Sequence, residues 1–253
     1  MKIKILIGLI TTSFVIFSCT GQKVKNDLSE LKLKGKVKSL IENTFKVVDK
    51  FGVIQKGIIR SRNIVLFNDK GNKFADSLYV SDGSLYYSKT FIYNDNENKI
   101  EENYYNSGDR LDLIITYKYD DKDNIIEEND YNSDSSLARK FIFKYDNKGN
   151  KIEANEYSSS GSLIVKYISK YDDYDNKIEN NIYISDGSLW HKNTFKYDNK
   201  GNVIERILFN SDGSLDKNYT YKYYFDKTSN WIKKTEFEKG IIQEIIEREI
   251  KYY

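Results

Sequence analysis

The chain of 253 residues contains no proline, one cysteine (Cys19) and one histidine (His191). A single cysteine excludes an internal disulfide and any metal site built from several cysteines. A single histidine argues against a histidine-dependent catalytic triad and against a multi-histidine metal centre. The absence of proline leaves every strand residue its amide donor, which is compatible with extensive β-sheet. Aromatic residues make up 15% of the chain and argue against disorder.

The N-terminus has the pattern of a secretory signal. Lys2 and Lys4 precede a short apolar run that ends in Ser18 and Cys19, and a run of this length is typical of a signal peptide rather than a membrane span. The end of the run resembles the lipobox of bacterial lipoproteins, although Phe17 replaces the usual small residue. The resemblance implies cleavage before Cys19 and lipid attachment to its sulfur; an unlipidated signal peptide or an uncleaved anchor is the alternative. Several acyl chains on one residue would give a stable anchor.

These features divide the chain and locate it. We expect a lipoprotein signal peptide at residues 1–18, a lipidated tether at 19–30 and a single β-repeat domain at 31–253, held in the bacterial cell envelope at the outer membrane. Removal of residues 1–18 leaves 38 basic and 38 acidic residues. A chain without net positive charge is a poor binder of polyanions, so we expect no nucleic-acid partner.

An internal repeat governs the rest of the chain. Asparagines recur at intervals of 26 residues, and leucine and two tyrosine series keep the same register. The asparagines are Asn72, Asn98, Asn124, Asn150, Asn176 and Asn202, followed by Asn230 after 28 residues.

Each repeat predicts one β-hairpin. In residues 137–162, for example, a turn of type I is expected at 146–149, where Asp is first and Gly fourth, and a Gly/Ser-rich turn is expected at 159–162. Runs of about eight alternating residues separate these turns. Short turns require antiparallel neighbours. We therefore predict an all-β antiparallel meander of tandem 26-residue hairpin repeats that forms a long, curled or spiralling sheet, because about fourteen strands exceed what an open twisted sheet usually carries flat.

The two ends of the repeat array are less regular. Residues 37–48 and 58–67 are expected to form an opening hairpin. In residues 241–253 the pairs Ile241/Ile245 and Ile242/Ile246 fit helical spacing, but the β-branched run fits a strand, and continuity of the repeat favours a closing strand.

Alternation assigns the side chains to two faces. It places Leu111, Leu113, Ile115, Tyr117 and Tyr119 together on an aromatic face and the recurring lysines, such as Lys118, on the other. If the recurring isoleucines such as Ile126 join the aromatic face, the glutamates that follow them fall on the lysine face. We interpret that face as solvated and carrying cross-strand Glu–Lys pairs.

A second tyrosine series does not fit this division. Alternation places Tyr105, Tyr131, Tyr157 and Tyr183 on the charged face. Either a bulge returns these rings to the core, or they lie exposed in a row that stacks against sugar rings or a protein partner. These four tyrosines are the candidate ligand-binding residues; we predict no catalytic residue, no metal site and no cofactor.

The repeated motif resembles a known family. Tyr-Asp-x-x-Gly-Asn at 145–150 and 197–202, with Asp-Gly-Ser-Leu at 82–85, 186–189 and 212–215, resembles the YD repeat of the Rhs family and, more closely, small YD-like repeat lipoproteins of Bacteroidetes-type bacteria. The opening at 33–39 is also similar to that of these lipoproteins. The resemblance spans about residues 31–253 and implies a β-repeat scaffold and, loosely, carbohydrate binding. The toxin delivery of large Rhs proteins is not implied, because this chain has no C-terminal toxin region.

The function predicted from the sequence is therefore a non-enzymatic envelope lipoprotein, a repeat scaffold whose face binds carbohydrate or protein. Its partners would be the membrane, through the lipid, and a glycan or an envelope protein. The alternative is a structural or envelope-interaction protein with no small ligand. An enzyme is disfavoured because equivalent repeated carboxylates offer no unique cleft, and a spanning barrel is disfavoured because Glu and Lys recur where lipid would require apolar residues.

Overall fold

The computed structural model describes residues 26–51 and 53–253. It contains one short helix, α1 (Asp27–Glu30), followed by sixteen strands. The strands are β1 (Val37–Lys50), β2 (Val53–Phe67), β3 (Lys73–Val80), β4 (Leu85–Tyr93), β5 (Lys99–Asn106), β6 (Leu111–Tyr119), β7 (Ile125–Asn132), β8 (Leu137–Tyr145), β9 (Lys151–Ser158), β10 (Leu163–Tyr171), β11 (Lys177–Ile184), β12 (Leu189–Tyr197), β13 (Val203–Asn210), β14 (Leu215–Phe225), β15 (Trp231–Glu238) and β16 (Ile241–Tyr252).

The strands form an antiparallel meander in which each pairs with its neighbours in sequence, as predicted. The opening hairpin and the closing strand are confirmed as β1–β2 and β16. The prediction of a long, curled or spiralling open sheet is wrong: β16 also pairs with β1, from Val37 opposite Tyr252 to Phe45 opposite Ile245, and the sheet closes into a barrel of sixteen strands. Closure removes both free edges, whose unpaired backbone groups would otherwise face solvent.

The physical reason for closure lies in regularly placed β-bulges. Each of the ladders from β2 to β16 contains one register shift next to its turn. A bulge bends its strand and increases the local twist. Because the repeat places one at both ends of every hairpin, the curvature accumulates in one direction until the edges meet.

The recurring asparagines complete one set of turns. In the turn at 146–150, Gly149 N–H donates to the Asp146 carbonyl and Asp146 N–H donates to the Asn150 carbonyl, with Gly149 at a φ of +89°. This is a type I turn followed by a residue in the left-handed region, so the predicted turn type is confirmed. The Asp146 carboxylate accepts hydrogen bonds from the backbone N–H groups of Lys148 and Asn150 at 2.9 Å.

The tyrosine of the Tyr-Asp motif ties each hairpin to the preceding one. The Tyr145 hydroxyl donates to the carbonyl of Ile125 at 2.7 Å, twenty residues earlier. The same bond, from residue i to residue i−20, is made by Tyr119, Tyr171, Tyr197 and Tyr223. In the first repeat Tyr93 instead donates to the Asp27 carboxylate of α1 at 2.6 Å.

The two faces of the wall differ sharply in exposure. Lys118, Lys144, Lys170 and Lys196 have side chains that are 62–70% exposed, whereas Lys99 on the aromatic face is 17% exposed and pairs with Glu102 at 2.6 Å. The aromatic face therefore lines the inside of the barrel, and the lysine face lies on the outside.

Two rims bound this wall. We call the end formed by the turns 68–72, 94–98, 120–124, 146–150, 172–176, 198–202 and 226–230 the asparagine rim. We call the end formed by the turns 81–84, 107–110, 133–136, 159–162, 185–188, 211–214 and 239–240 the serine rim.

The N-terminal segment, residues 26–36, crosses the mouth of the barrel at the asparagine rim. Leu28 N–H donates to the Gly71 carbonyl, Lys32 Nζ donates to the Gly201 carbonyl and Lys34 N–H donates to Asn230 Oδ1. Its leucines form a buried cluster with the inner residues of β1 and β2: Leu28, Leu33, Val37, Leu40, Val65 and Phe67. The main apolar core thus lies at one end of the barrel. Within the described part of the chain, no helix is long and apolar enough to cross a bilayer.

Candidate functional site

The outer face carries a repeated Glu–Lys–Asn array. Glu127 on β7 contacts Lys118 on β6 and Lys140 on β8, both at 2.7 Å, and accepts a hydrogen bond from Asn129 at 2.9 Å. These bonds lower the pKa of Glu127 to about 2. The next two repeats have the same arrangement at Glu153 with Lys144, Lys166 and Asn155, and at Glu179 with Lys170, Lys192 and Asn181. The glutamate series therefore lies on the lysine face, as predicted.

The isoleucines that precede these glutamates do not join the aromatic face. Lys99 and Glu102 both face the inside, so the two residues between them, Ile100 and Glu101, both lie outside. Ile100 is the unpaired residue of the bulge and is 37% exposed. Strict alternation missed this because a bulge places two successive side chains on one face.

The candidate residues Tyr105, Tyr131, Tyr157 and Tyr183 are half-buried on the outer face. One of the two alternatives drawn from the sequence is a bulge that returns these tyrosines to the core. A bulge does occur near them, but it lies on the next strand and moves the leucine of that strand to the outer face, while the tyrosines stay outside. Leu163 pairs with Tyr157 while Val165 pairs with Glu156, so Leu163 lies beside the tyrosine on the outside. The same shift pairs Leu111 with Tyr105, and the prediction that Leu111 shares the aromatic face is therefore wrong. The outcome is a row of outer Tyr–Leu pairs.

A shallow groove lies at one member of this row. It has a volume of about 350 Å³ and is lined by Leu137, Lys140, Ile142, Tyr157 and residues 158–161. Tyr157 and Lys140 are cross-strand partners in its floor. The groove thus combines apolar and aromatic surface with a lysine and serine hydroxyls, which is the mixture that orients a small polar ligand.

The inner wall carries a second set of charged groups. Glu102 contacts Lys99 at 2.6 Å and Lys89 at 3.5 Å and accepts a hydrogen bond from the Tyr117 hydroxyl at 2.9 Å. Burial opposes its ionisation, but the two lysines and Tyr117 hold the pKa of Glu102 at about 2. On β7, burial and the neighbouring Asp130 raise the pKa of Glu128 to about 7.

These inner acids had a signal in the sequence. Glutamate doublets such as Glu101-Glu102 and Glu127-Glu128 place one carboxylate on each face of a strand. The same wall holds Arg139, which contacts Asp130 at 2.8 Å and Glu156 at 3.6 Å. Within residues 26–51 and 53–253, no group of three or more His, Cys, Asp or Glu side chains is arranged to hold a metal ion. Cys19, the expected lipidation site, lies outside the described residues.

The fold is similar to that of a solved protein. A porin-like protein from Bacteroides uniformis ATCC 8492 superposes with a TM-score of 0.55 at 12% sequence identity, covering 86% of this chain and 98% of that one. The likeness extends to the fold alone. A porin-like protein from Bacteroides vulgatus ATCC 8482 gives a TM-score of 0.49 at 10% identity over 86% of this chain and 98% of that one. The toxin complex TcdB2-TccC3 gives 0.33 at 15% identity over 74% of this chain and 11% of that one.

No family model matches the chain, and no curated protein matches it in sequence.

Proposed function

We propose that this protein is a non-enzymatic lipoprotein of the bacterial envelope, anchored at the outer membrane through Cys19, and that its outer tyrosine row binds carbohydrate. The N-terminal signal and lipobox-like sequence support the location. The outer wall supports a barrel that stands in water, because Lys140, Lys166 and Lys192, each paired with a glutamate, lie near the middle of their strands, where a lipid-facing band would be apolar.

The observation that carries the binding role is the repeated outer Tyr–Leu pair with its groove at Tyr157. Tyrosine offers an apolar ring face together with a polar hydroxyl, a combination that matches the apolar and polar faces of a sugar ring. Lys140 and Ser160 at the groove supply hydrogen-bond donors for sugar hydroxyls. Because the pairs recur at 26-residue intervals on neighbouring hairpins, a long glycan can occupy several weak sites at once, which raises its overall affinity.

A glycan array tests this role. A glycan bound by the wild type should lose at least about tenfold in affinity when Tyr131→Ala and Tyr157→Ala are combined, because the stacking platform of two neighbouring sites is removed. Tyr174→Ala is the matched control, since Tyr174 is a 79% exposed tyrosine in a turn at the asparagine rim, away from the row. Circular dichroism verifies that each variant keeps its barrel.

Two results would contradict carbohydrate binding: no glycan bound by the wild type, or equal loss in the control. Co-purification of one stoichiometric envelope protein without any glycan would instead favour the structural alternative. The anchor is tested separately by palmitate incorporation in cells, which Cys19→Ser should abolish.

A further inference from the structure

A ring of exposed apolar side chains surrounds the outside of the asparagine rim. Each member is the unpaired residue of the bulge next to a turn of that rim. Six are isoleucines and one is phenylalanine, and their exposed fractions are 36–49%. The ring consists of Phe74, Ile100, Ile126, Ile152, Ile178, Ile204 and Ile232.

Bulge geometry does not require these residues to be apolar. The serine rim has an equivalent set of unpaired bulge residues whose chemistry varies from one hairpin to the next. That set is Tyr86, Asp112, Ala138, Ile164, Trp190, Asp216 and Gln243. The bulge residue is apolar at all seven positions of the asparagine rim but mixed at the serine rim, and this uniform chemistry indicates an interaction surface rather than a requirement of the bulge.

The beginning of the described chain lies at the same rim. The Asn26 side chain donates to the Lys70 carbonyl at 2.9 Å, in the turn between β2 and β3. Cys19 precedes Asn26 by seven residues, and seven residues span at most about 25 Å. A lipid on Cys19 would therefore be attached to the barrel through the asparagine rim.

We propose that the ring seats the asparagine rim on the surface of a lipid bilayer, with the barrel axis upright and the serine rim facing away. This inference rests on the lipid anchor of the proposed function and adds an orientation to it. The isoleucine and phenylalanine side chains would enter the boundary between headgroups and acyl chains. The turns around them carry both lysines and acids, and Tyr174 projects from one of them, 79% exposed; polar turns and an aromatic ring suit the headgroup layer.

The two rims provide matched reporters. Ile152 on β9 and Ile164 on β10 are both unpaired bulge residues, 36% and 38% exposed, but they lie at opposite rims. Two variants are made, Ile152→Trp and Ile164→Trp, each in a protein that starts at Cys19 and so contains every residue that the structure describes. Because Cys19 is the only cysteine, it is coupled to a maleimide lipid in phosphatidylcholine vesicles that contain brominated acyl chains. Fluorescence is read relative to the parent protein, whose own tryptophans supply the background.

We expect the bromolipid to quench Ile152→Trp at least about twofold more strongly than Ile164→Trp. Equal quenching of both would overturn the proposal. Stronger quenching of Ile164→Trp would also overturn it and would show that the other end, from which the fully exposed Phe51 of the β1–β2 hairpin projects, meets the bilayer.

A second variant tests the ring itself. Ile126→Ser, Ile152→Ser and Ile178→Ser combined should lower binding of the uncoupled chain to the same vesicles several-fold, whereas Tyr86→Ser, Ile164→Ser and Trp190→Ser combined should not. Equal loss in the two triple variants would contradict the proposal. The maleimide lipid is attached chemically and does not depend on acylation in cells. If cells incorporate no palmitate, the proposed lipid anchor is contradicted, but the vesicle experiment still measures which rim meets the bilayer.

Discussion

Glu127 and Glu128 are neighbours in sequence but lie on opposite faces of the barrel wall, and their surroundings shift their pKa values in opposite directions. Glu127 faces water between two lysines that lower its pKa to about 2. Glu128 faces the inside, where burial raises its pKa to about 7. A glutamate on the outer face supports solubility, whereas a glutamate on the inner face carries a desolvation cost. Because successive side chains of a strand point to opposite faces, a shift of one residue decides between the two.

The largest difference between the faces is expected when a carboxylate is removed. Glu102→Ala leaves Lys99 buried without its principal partner, and breaking a buried pair in this way costs about 3–5 kcal/mol. Glu127→Ala on the outer face should cost less than about 1 kcal/mol, because exposed pairs contribute little. Urea denaturation of the two variants measures both values, and similar losses would show that the inner wall is as well solvated as the outer one.

A smaller difference is expected in the dependence of stability on pH. The folded-state pKa of Glu128 lies above its unfolded value, so its contribution to stability is greatest below about pH 4.5 and is lost as the pH rises through about 7. Glu128→Gln should therefore be more stable than the wild type by about 1–3 kcal/mol at pH 8 and should show no such gain at pH 4.

Glu127 serves as the opposite control for that titration. Its folded-state pKa is lowered to about 2, so its contribution is present above about pH 4.5 and is lost as the pH falls toward 2. Glu127→Gln should accordingly lose stability at pH 7 and converge with the wild type in acid. Chemical denaturation across this pH range gives both slopes, and parallel curves for the two variants would refute the assignment of faces.

The smallest difference concerns a single hydroxyl. Tyr145→Phe removes the hydrogen bond to the Ile125 carbonyl on the inner face and should cost about 1 kcal/mol, because the carbonyl loses its partner away from bulk water. Tyr157→Phe, at the outer groove, should change stability by less than about 0.5 kcal/mol. Thermal unfolding distinguishes the two; an equal cost would mean that the outer row is a structural element and not an open surface.

The sequence by itself determined the repeat, the antiparallel meander and the type I turns. All of these follow from residues within one 26-residue unit and its neighbours, because turn chemistry and period-2 alternation are local. For Tyr157 the sequence left two positions open, the charged face or the core, and the tyrosine lies on the charged face because no bulge intervenes between Glu153 and Tyr157 on β9.

Only the tertiary structure decided the closure of the barrel, the outward position of Ile100 and Leu111, and the path of residues 26–36 across the mouth. A bulge adds one unpaired residue to a strand, and the period-2 alternation of the sequence does not predict where it occurs. It nevertheless reverses the face of the residue that follows it. Closure depends on the summed curvature of sixteen strands and on pairing between β1 and β16, which are about two hundred residues apart. The same curvature brings the asparagine turns together as one rim, and with them the apolar ring.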